Sequence, residues 1–186
     1  MRTLRVGLIG AGYVSSYHVR ALQSLKNVQI VGITDQDPGR AARVASEFEI
    51  PFLESSRALR SANPEVIHVL TPPSTHCAVA LEALEMGCHV FVEKPMAASE
   101  EECDLMIEKA ASVARTLSVN HSAKFDPSIQ SAMRLIESGA IGDVLSVEYF
   151  RSSEYPTYAG GPLPPPYRDG GYPFRDIGIH ALYLME

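Results

Sequence analysis

Short apolar runs alternate with amphipathic stretches along residues 1–121. The nearly continuous apolar runs predict strands that are buried on both faces, and apolar positions at helical spacing predict helices between them. The predicted strands are Arg5–Ile9, Gln29–Thr34, Val66–Leu70, His89–Val92 and Thr116–Asn120, with a short one near Phe52. The predicted helices are Tyr13–Leu25, Pro38–Phe48, Ser56–Ser61, Thr75–Met86 and Ser99–Ala114. Strands that alternate with helices in this way indicate an α/β fold built on a doubly wound parallel sheet.

The pattern changes after residue 121. A further helix is predicted at Asp126–Ser138, and Val144–Phe150 alternates apolar and polar residues like a half-exposed strand. Ser152–Gly171 is rich in proline, glycine and tyrosine and has no periodicity, which is typical of a long functional or disordered loop. Asp176–Glu186 resumes helical spacing. Residues 122–186 are therefore predicted to begin a second domain.

Composition and charge exclude several classes of protein. Hydrophobic residues make up 46% and charged residues 20% of the 186 positions, and the net charge is −6. A negative surface repels nucleic acid, whose binding depends on phosphate neutralisation, and no apolar run reaches the length of a bilayer. The three cysteines, Cys77, Cys88 and Cys103, show no metal-ligand spacing, and an odd number favours reduced thiols. We predict a soluble cytoplasmic protein without nucleic-acid, membrane or metal partners.

A glycine-rich segment, Gly10–Ser15, joins the first predicted strand to the first predicted helix. Gly10 permits a tight turn, Gly12 lets a ligand approach the backbone, and the helix N-terminus supplies N–H donors for a pyrophosphate. Serine stands at the third small position, where glycine is usual. The pattern predicts a dinucleotide site formed by Gly10, Ala11, Gly12, Tyr13 and Val14. A turn that only needs flexible glycines is the alternative.

An acidic residue, Asp35, ends the next predicted strand, about 20 residues after the glycines. At this position a carboxylate accepts hydrogen bonds from the ribose hydroxyls of a dinucleotide. A carboxylate also repels a 2′-phosphate, and the nearest basic residue, Arg40, lies a turn into the following helix. The sequence therefore favours NAD as cofactor and leaves NADP as the alternative. A solvated turn residue is the other interpretation of Asp35.

Further motifs follow later strands of the predicted sheet. They are Thr71-Pro72-Pro73-Ser74-Thr75-His76, Glu93-Lys94-Pro95, Val119-Asn120-His121 with Phe125 and Pro127, Ser138-Gly139-Ala140-Ile141-Gly142 and Asp176-Ile177-Gly178-Ile179-His180. In this order and spacing they make essentially the whole chain resemble the glucose–fructose oxidoreductase/inositol dehydrogenase family. The resemblance implies a Rossmann domain over residues 1–121. Over residues 122–186 it implies the start of an α+β domain with a mostly antiparallel sheet.

The resemblance also implies an activity. Family members use NAD(P) to oxidise a secondary hydroxyl of a sugar, inositol or related polyol, and hydride passes to the nicotinamide. At the matching positions Lys94, Asp176 and His180 line the substrate, with the histidine as the usual acid/base. Because loops after parallel strands emerge at one edge of the sheet, the predicted cofactor contacts extend to Thr71, Pro72, Pro73, His76, Glu93, Lys94 and Asn120.

The residues themselves agree with this assignment, although each has a second interpretation. Lys94 follows a strand end, where an ammonium group stabilises a developing alkoxide; a surface lysine paired with Glu93 is the alternative. Asp176 and His180 lie four residues apart and share one helix face, and a histidine that titrates near neutrality can take the hydroxyl proton. A helix cap and a structural histidine are the alternatives for this pair. His18, within the first helix, is expected to serve packing.

The second domain is incomplete in this sequence. The family carries a large sheet that walls the substrate pocket and forms the oligomer interface, whereas one strand of it, Val144–Phe150, is predicted here. We therefore expect a piece of a longer homo-oligomeric enzyme, with NAD binding but feeble or absent turnover from residues 1–186 alone. Partner strands supplied by another chain are the alternative. An NAD-using glycosidase on the same scaffold and a non-catalytic dinucleotide sensor are the alternative functions.

Overall fold

The computed structural model describes residues 2–150 and 178–185. The chain divides into two compact units, Met1–Asn120 and His121–Glu186. The first contains a parallel sheet with helices between its strands, and the second contains the remaining described helices. Among the helices of the described ranges, none combines the length and apolar character that crossing a membrane requires.

The first unit follows the predicted alternation. Its strands are β1 (Leu4–Ile9), β2 (Val28–Thr34), β3 (Val66–Val69), β4 (His89–Val92) and β5 (Leu117–Val119). Its helices are α1 (Ser15–Gln23), α2 (Pro38–Glu47), α3 (Ser56–Ser61), α4 (Pro73–Glu85) and α5 (Glu100–Ser112). The strand order is β2-β1-β3-β4-β5, and every neighbouring pair is parallel. The predicted doubly wound α/β fold is confirmed.

Helices begin where the sequence supplies a capping group. The side chains of Asp37 and Ser99 each accept a hydrogen bond from a backbone N–H in the first turn of α2 and α5, which satisfies a donor that the helix itself cannot. α1 begins at Ser15 rather than at the predicted Tyr13. The intervening residues form the turn after β1, and Val14, which already has helical φ and ψ, is the N-cap of the helix.

Two clusters of buried side chains fix the helices on the sheet. One lies between β1, β2, α1 and α2 and includes Leu8, Ile33 and Val19. The other lies between β3, β4, α4 and α5 and includes Ile67, Leu84 and Met106. Burying a side chain of this size contributes about 1.5–3 kcal/mol. The clusters therefore hold the loops at the sheet edge on a rigid base.

The second unit contains, among its described residues, a 3-10 turn (Ser122–Phe125), α6 (Pro127–Glu137) and α7 (Ile179–Met185). The carboxylate of Asp126 accepts from the N–H of Ser128 and caps α6. The ring of Tyr183 on α7 stacks on His121 with centroids 3.8 Å apart. This stacking attaches α7 to the segment that starts the second unit.

The prediction of a strand at Val144–Phe150 is wrong. Within residues 2–150 and 178–185 this segment pairs with no strand, and Leu145 and Phe150 are 95% and 92% exposed. A strand needs a neighbour to satisfy its backbone N–H and C=O groups, and the described residues supply none here. The predicted loop Ser152–Gly171 lies outside the described residues.

We predict that Ile67→Ala lowers the free energy of unfolding by about 2–5 kcal/mol, because Ile67 is fully buried in the central strand and truncation leaves a cavity. Urea unfolding followed by circular dichroism measures this change. Leu105→Ala on α5 is the matched control, since Leu105 is 52% exposed and should change stability by less than about 0.5 kcal/mol. Equal losses in both variants would contradict the assigned core.

Candidate dinucleotide and substrate site

The turn after β1 contains two glycines with different roles, Gly10 and Gly12. Gly10 has a φ of +106°, and a Cβ at this position would lie 2.6 Å from the carbonyl carbon and oxygen of Leu70. A Cβ on Gly12 would meet no protein atom within 4 Å. Gly10 therefore makes the turn possible, whereas Gly12 leaves room for a ligand directly against the backbone.

Backbone donors surround this space at the start of α1. The N–H groups of Gly12, Tyr13 and Val14 donate no hydrogen bond within residues 2–150 and 178–185. They stand at the positive end of the α1 dipole, where anions bind. Ser15 replaces the usual third glycine, and its hydroxyl donates to the carbonyl oxygen of Gly12 at 2.7 Å. The serine thus closes the turn, and the donors in front of it suit a pyrophosphate.

Asp35 lies directly beside the turn. One carboxylate oxygen accepts from the N–H of Ala11 at 2.7 Å, and the other accepts from the N–H of Asp37 at 2.8 Å. The side chain is 11% exposed. Because a carboxylate offers about four lone-pair positions, it retains acceptor capacity for ribose hydroxyls. The geometry brings together Asp35 and the glycine turn, and the ribose contact itself stays a prediction.

Arg40 lies closer to Asp35 than its place in the sequence suggests. Its Nη1 is 3.8 Å from Oδ1 of Asp35, and its Nη2 is 3.8 Å from Oδ2 of Asp37. Arg40 is in the first turn of α2, and the turn capped by Asp37 returns its side chain to the end of β2. The guanidinium partly offsets the charge of Asp35. The preference for NAD over NADP therefore stays a prediction.

His76 joins two loops at the carboxyl edge of the sheet. Its Nδ1 lies 2.9 Å from the carbonyl oxygen of Pro95, and its Nε2 lies 2.6 Å from that of Thr71. The side chain is 1% exposed, so both ring nitrogens serve contacts inside the protein. His76 thereby holds the loop after β3 against the loop after β4. Its direct contact with a cofactor stays a prediction.

The loops after β3, β4 and β5 stand side by side because these strands are neighbours in the sheet. Thr71 and Lys94 are half-buried, and the peptide between Lys94 and Pro95 is cis. The backbone N–H of Asn120 donates to the carbonyl oxygen of Val92 at 2.8 Å. Oγ1 of Thr71 is buried and has no hydrogen-bond partner within residues 2–150 and 178–185. Such an atom is a natural contact point for a ligand.

Glu93 is a buried carboxylate surrounded by donors. Its Oε1 lies 2.7 Å from Nε2 of His18 and 2.6 Å from Nδ2 of Asn120, and its Oε2 accepts from the N–H of Lys94 at 3.2 Å. Burial raises the pKa of Glu93, but the hydrogen bonds from His18 and Asn120 outweigh it and hold that pKa below its ordinary value. Glu93 is therefore ionised at neutral pH.

A second histidine extends this contact. Nδ1 of His68, on β3, lies 3.0 Å from Nδ1 of His18, and the two rings meet edge to face. Burial, with a smaller effect of the neighbouring His18, lowers the pKa of His68 to about 3. His68 is therefore neutral at physiological pH. His18 therefore does more than pack, since its ring also contacts His68 and Glu93. The sequence did not predict these contacts, because the partners lie 50 and 75 positions from His18 and leave no local pattern.

The three residues predicted to be catalytic are only partly described. Lys94 belongs to the first unit and His180, on α7, to the second. Asp176 lies outside the described residues. The joint arrangement of Lys94, Asp176 and His180 and their roles therefore stay predictions. The first unit alone provides the glycine turn, Asp35 and the three edge loops.

Comparisons with known proteins agree with this geometry. Residues 4–121 match the model of the oxidoreductase family with an NAD-binding Rossmann fold. The chain is 34% identical over 127 residues to UDP-N-acetylglucosamine 3-dehydrogenase of Acidithiobacillus ferrooxidans, covering 68% of this chain and 40% of the relative. It is 30% identical over 189 residues to scyllo-inositol 2-dehydrogenase (NAD(+)) of Bacillus subtilis, covering 98% and 54%.

A solved structure is also similar. The WlbA dehydrogenase of Bordetella pertussis, in complex with NADH and UDP-GlcNAcA, superposes with a TM-score of 0.71 at 27% identity. The match covers 76% of this chain and 41% of that one. The chain thus spans about half the length of the curated relatives it matches. The predicted NAD-binding Rossmann half is confirmed by these matches.

We predict opposite consequences for alanine at the two turn glycines. Gly12→Ala should leave the unfolding free energy nearly unchanged but weaken NADH binding at least about tenfold, because its Cβ enters the open space above the turn. Gly10→Ala should cost about 2–5 kcal/mol of stability, from the positive φ and the contact with Leu70. Denaturant unfolding and NADH fluorescence titration measure both. A Gly12→Ala variant that binds NADH normally would contradict the site.

We predict that acid destabilises the protein partly through His68. Its pKa falls from 6.5 to about 3 on folding, so between these values the unfolded state binds a proton that the folded state does not. The stability that the neutral His68 contributes is fully present above pH 6.5. It is lost as the pH falls toward 3, by up to about 1.4 kcal/mol per pH unit. Urea unfolding at several pH values measures the slope. His68→Phe should flatten it, and an unchanged slope would refute the assignment.

Proposed function

Because the chain belongs to the oxidoreductase family with an NAD-binding Rossmann fold, we propose that the full protein is an NAD-dependent dehydrogenase of a sugar, inositol or related polyol. The observation that carries the proposal is the meeting of the glycine turn, Asp35 and the Lys94 loop at one edge of the sheet. The names of the relatives, which include inositol and UDP-sugar dehydrogenases, support this substrate class.

The residues of the first unit fit a nicotinamide dinucleotide. The N–H groups of Gly12, Tyr13 and Val14 would bind the pyrophosphate, and Asp35 would accept from the ribose hydroxyls. Oγ1 of Thr71, buried and without a partner within the described residues, would bind a polar group of the same ligand. When bound, the cofactor supplies the nicotinamide ring that accepts hydride.

The remaining chemistry is a proton transfer from the hydroxyl that is oxidised. The ammonium group of Lys94 would stabilise the oxygen as it gains negative charge and would orient the substrate. His180 is proposed to take the hydroxyl proton, and Asp176, four residues before it in the sequence, is proposed to line the substrate. The carbon loses its hydrogen as hydride, and the oxygen loses its hydrogen as a proton, so a carbonyl group is formed.

Several features of the whole protein are part of the proposal. Residues 122–186 are proposed to begin the domain that completes the substrate pocket and forms a homo-oligomer, consistent with the 40–54% of each relative's length that the chain covers. NAD is proposed over NADP because Asp35 repels a 2′-phosphate. A cytoplasmic location is proposed because such an enzyme draws on the cellular pool of free NAD.

We predict that Lys94→Ala in the full-length protein lowers kcat by at least about a hundredfold and changes the Kd for NADH by less than about threefold. The reason is that the lysine acts on the reacting oxygen rather than on the dinucleotide. Absorbance of the reduced nicotinamide during turnover with a polyol panel measures kcat. Lys109→Ala is the matched control, since the ammonium group of Lys109 pairs with Glu85 at 3.1 Å on α4.

The same assay separates the alternatives. Accumulation of reduced nicotinamide supports the dehydrogenase. Substrate consumption without accumulation would instead indicate a glycosidase that oxidises and re-reduces its substrate. NADH binding without any turnover of the panel would indicate a sensor. An equal loss of affinity and kcat in Lys94→Ala would mean that Lys94 binds the cofactor.

A further inference from the structure

The carboxylate of Glu93 contacts groups on three elements of the first unit. Its Oε1 contacts His18 on α1 and Asn120 at the end of β5, and its Oε2 accepts from the backbone N–H of Lys94. Glu93 is 8% exposed, so these contacts are shielded from solvent. One side chain thus joins the helix with the phosphate-binding N–H groups to the lysine loop.

We propose that Glu93 is a positioning residue that fixes the backbone of Lys94 relative to α1 and β5. The proposal rests on the proposed function, because the position of Lys94 matters only if Lys94 acts on the substrate. His18 lies in the first turn of α1, three residues after Ser15, so the link to the anion-binding end of the helix is short and rigid. A displacement of about 1 Å in a reacting group costs about a hundredfold in rate.

The chemistry of the site requires a carboxylate here. Three donors converge on Glu93: the ring N–H of His18, the amide of Asn120 and the backbone N–H of Lys94. An ionised carboxylate is an acceptor at both oxygens, whereas a carboxamide is an acceptor at one end and a donor at the other. Glutamine would therefore turn an N–H group toward at least one of these donors.

The contacts also determine which of the three hydrogen bonds a glutamine at position 93 would lose. With its oxygen toward His18 and Asn120, the variant keeps two hydrogen bonds and places its NH2 group against the N–H of Lys94. The reverse orientation of the amide keeps the hydrogen bond from Lys94 and loses those from His18 and Asn120. The first arrangement is favoured, so Glu93→Gln is a selective probe of the Lys94 contact with almost no change of shape.

The experiment compares Glu93→Gln with the parent full-length protein in three measurements. Hydrogen exchange at the Lys94 amide should become about tenfold faster, because its acceptor is lost. The kcat for the best polyol should fall about a hundredfold. The Kd for NADH should change by less than about threefold, since the N–H groups at the start of α1 are untouched.

Glu102→Gln is the matched control. Its carboxylate accepts from the backbone N–H of Ala98 at 2.9 Å, at an exposed position outside the site. The same chemical change there should leave kcat and the exchange of Lys94 unaltered. Glu93→Asp provides a second test, because it keeps both acceptor oxygens but withdraws them by one methylene. It should restore part of the slow exchange and part of kcat if the carboxylate acts by position.

The outcomes are distinct. Unchanged exchange at Lys94 in Glu93→Gln overturns the proposal, and so does faster exchange with unchanged kcat. Equal losses in kcat and NADH affinity also overturn it, because Glu93 would then act on the cofactor. Failure of the proposed function gives a different pattern, in which the parent protein neither binds NADH nor turns over a polyol. In that case slower exchange in the parent than in Glu93→Gln still supports the contact itself.

Discussion

The common direction of the five strands is the constraint on which the site depends. Because β1 to β5 are all parallel, the chain leaves each of them at the same edge of the sheet. The glycine turn, Asp35, Thr71, the Glu93–Lys94 loop and Asn120 all occupy that edge. Each residue is separated from the others by a whole strand–helix unit, yet they lie close together in the fold. The helices pack on the strands in two buried clusters that keep this edge rigid.

At this edge the loops are held by hydrogen bonds between elements rather than by apolar contact. His76 links the loops after β3 and β4, and Glu93 links α1, the Lys94 loop and β5. Buried polar groups of this kind are costly unless every donor and acceptor is paired. At Glu93 three donors meet one carboxylate, which keeps it ionised. Behind it, the lowered pKa of His68 keeps that ring neutral.

The sequence predicted what depends on local pattern. Apolar runs located all five strands of the sheet, and the distance from the glycines to Asp35 placed two parts of the site correctly side by side. The strand prediction at Val144–Phe150 was wrong because the alternation of apolar and polar residues indicates only a preference for a half-exposed strand. The pairing that makes a strand depends on residues distant in the sequence. The Glu93–His18 contact was missed for a related reason: a hydrogen bond between residues 75 positions apart has no periodicity to reveal it.

The bond between Asp35 and the N–H of Ala11 makes the acid that we propose to bind the ribose a structural part of the turn that we propose to bind the pyrophosphate. Evolution or engineering toward a phosphorylated coenzyme cannot treat this position as an independent specificity switch. Any replacement that removes the negative charge must still accept from Ala11, or the turn keeps the bond from the N–H of Gly10 to the carbonyl oxygen of Thr34 but loses the one beside it. A short polar residue that keeps one oxygen in place, with Arg40 already nearby, is the route that the architecture leaves open.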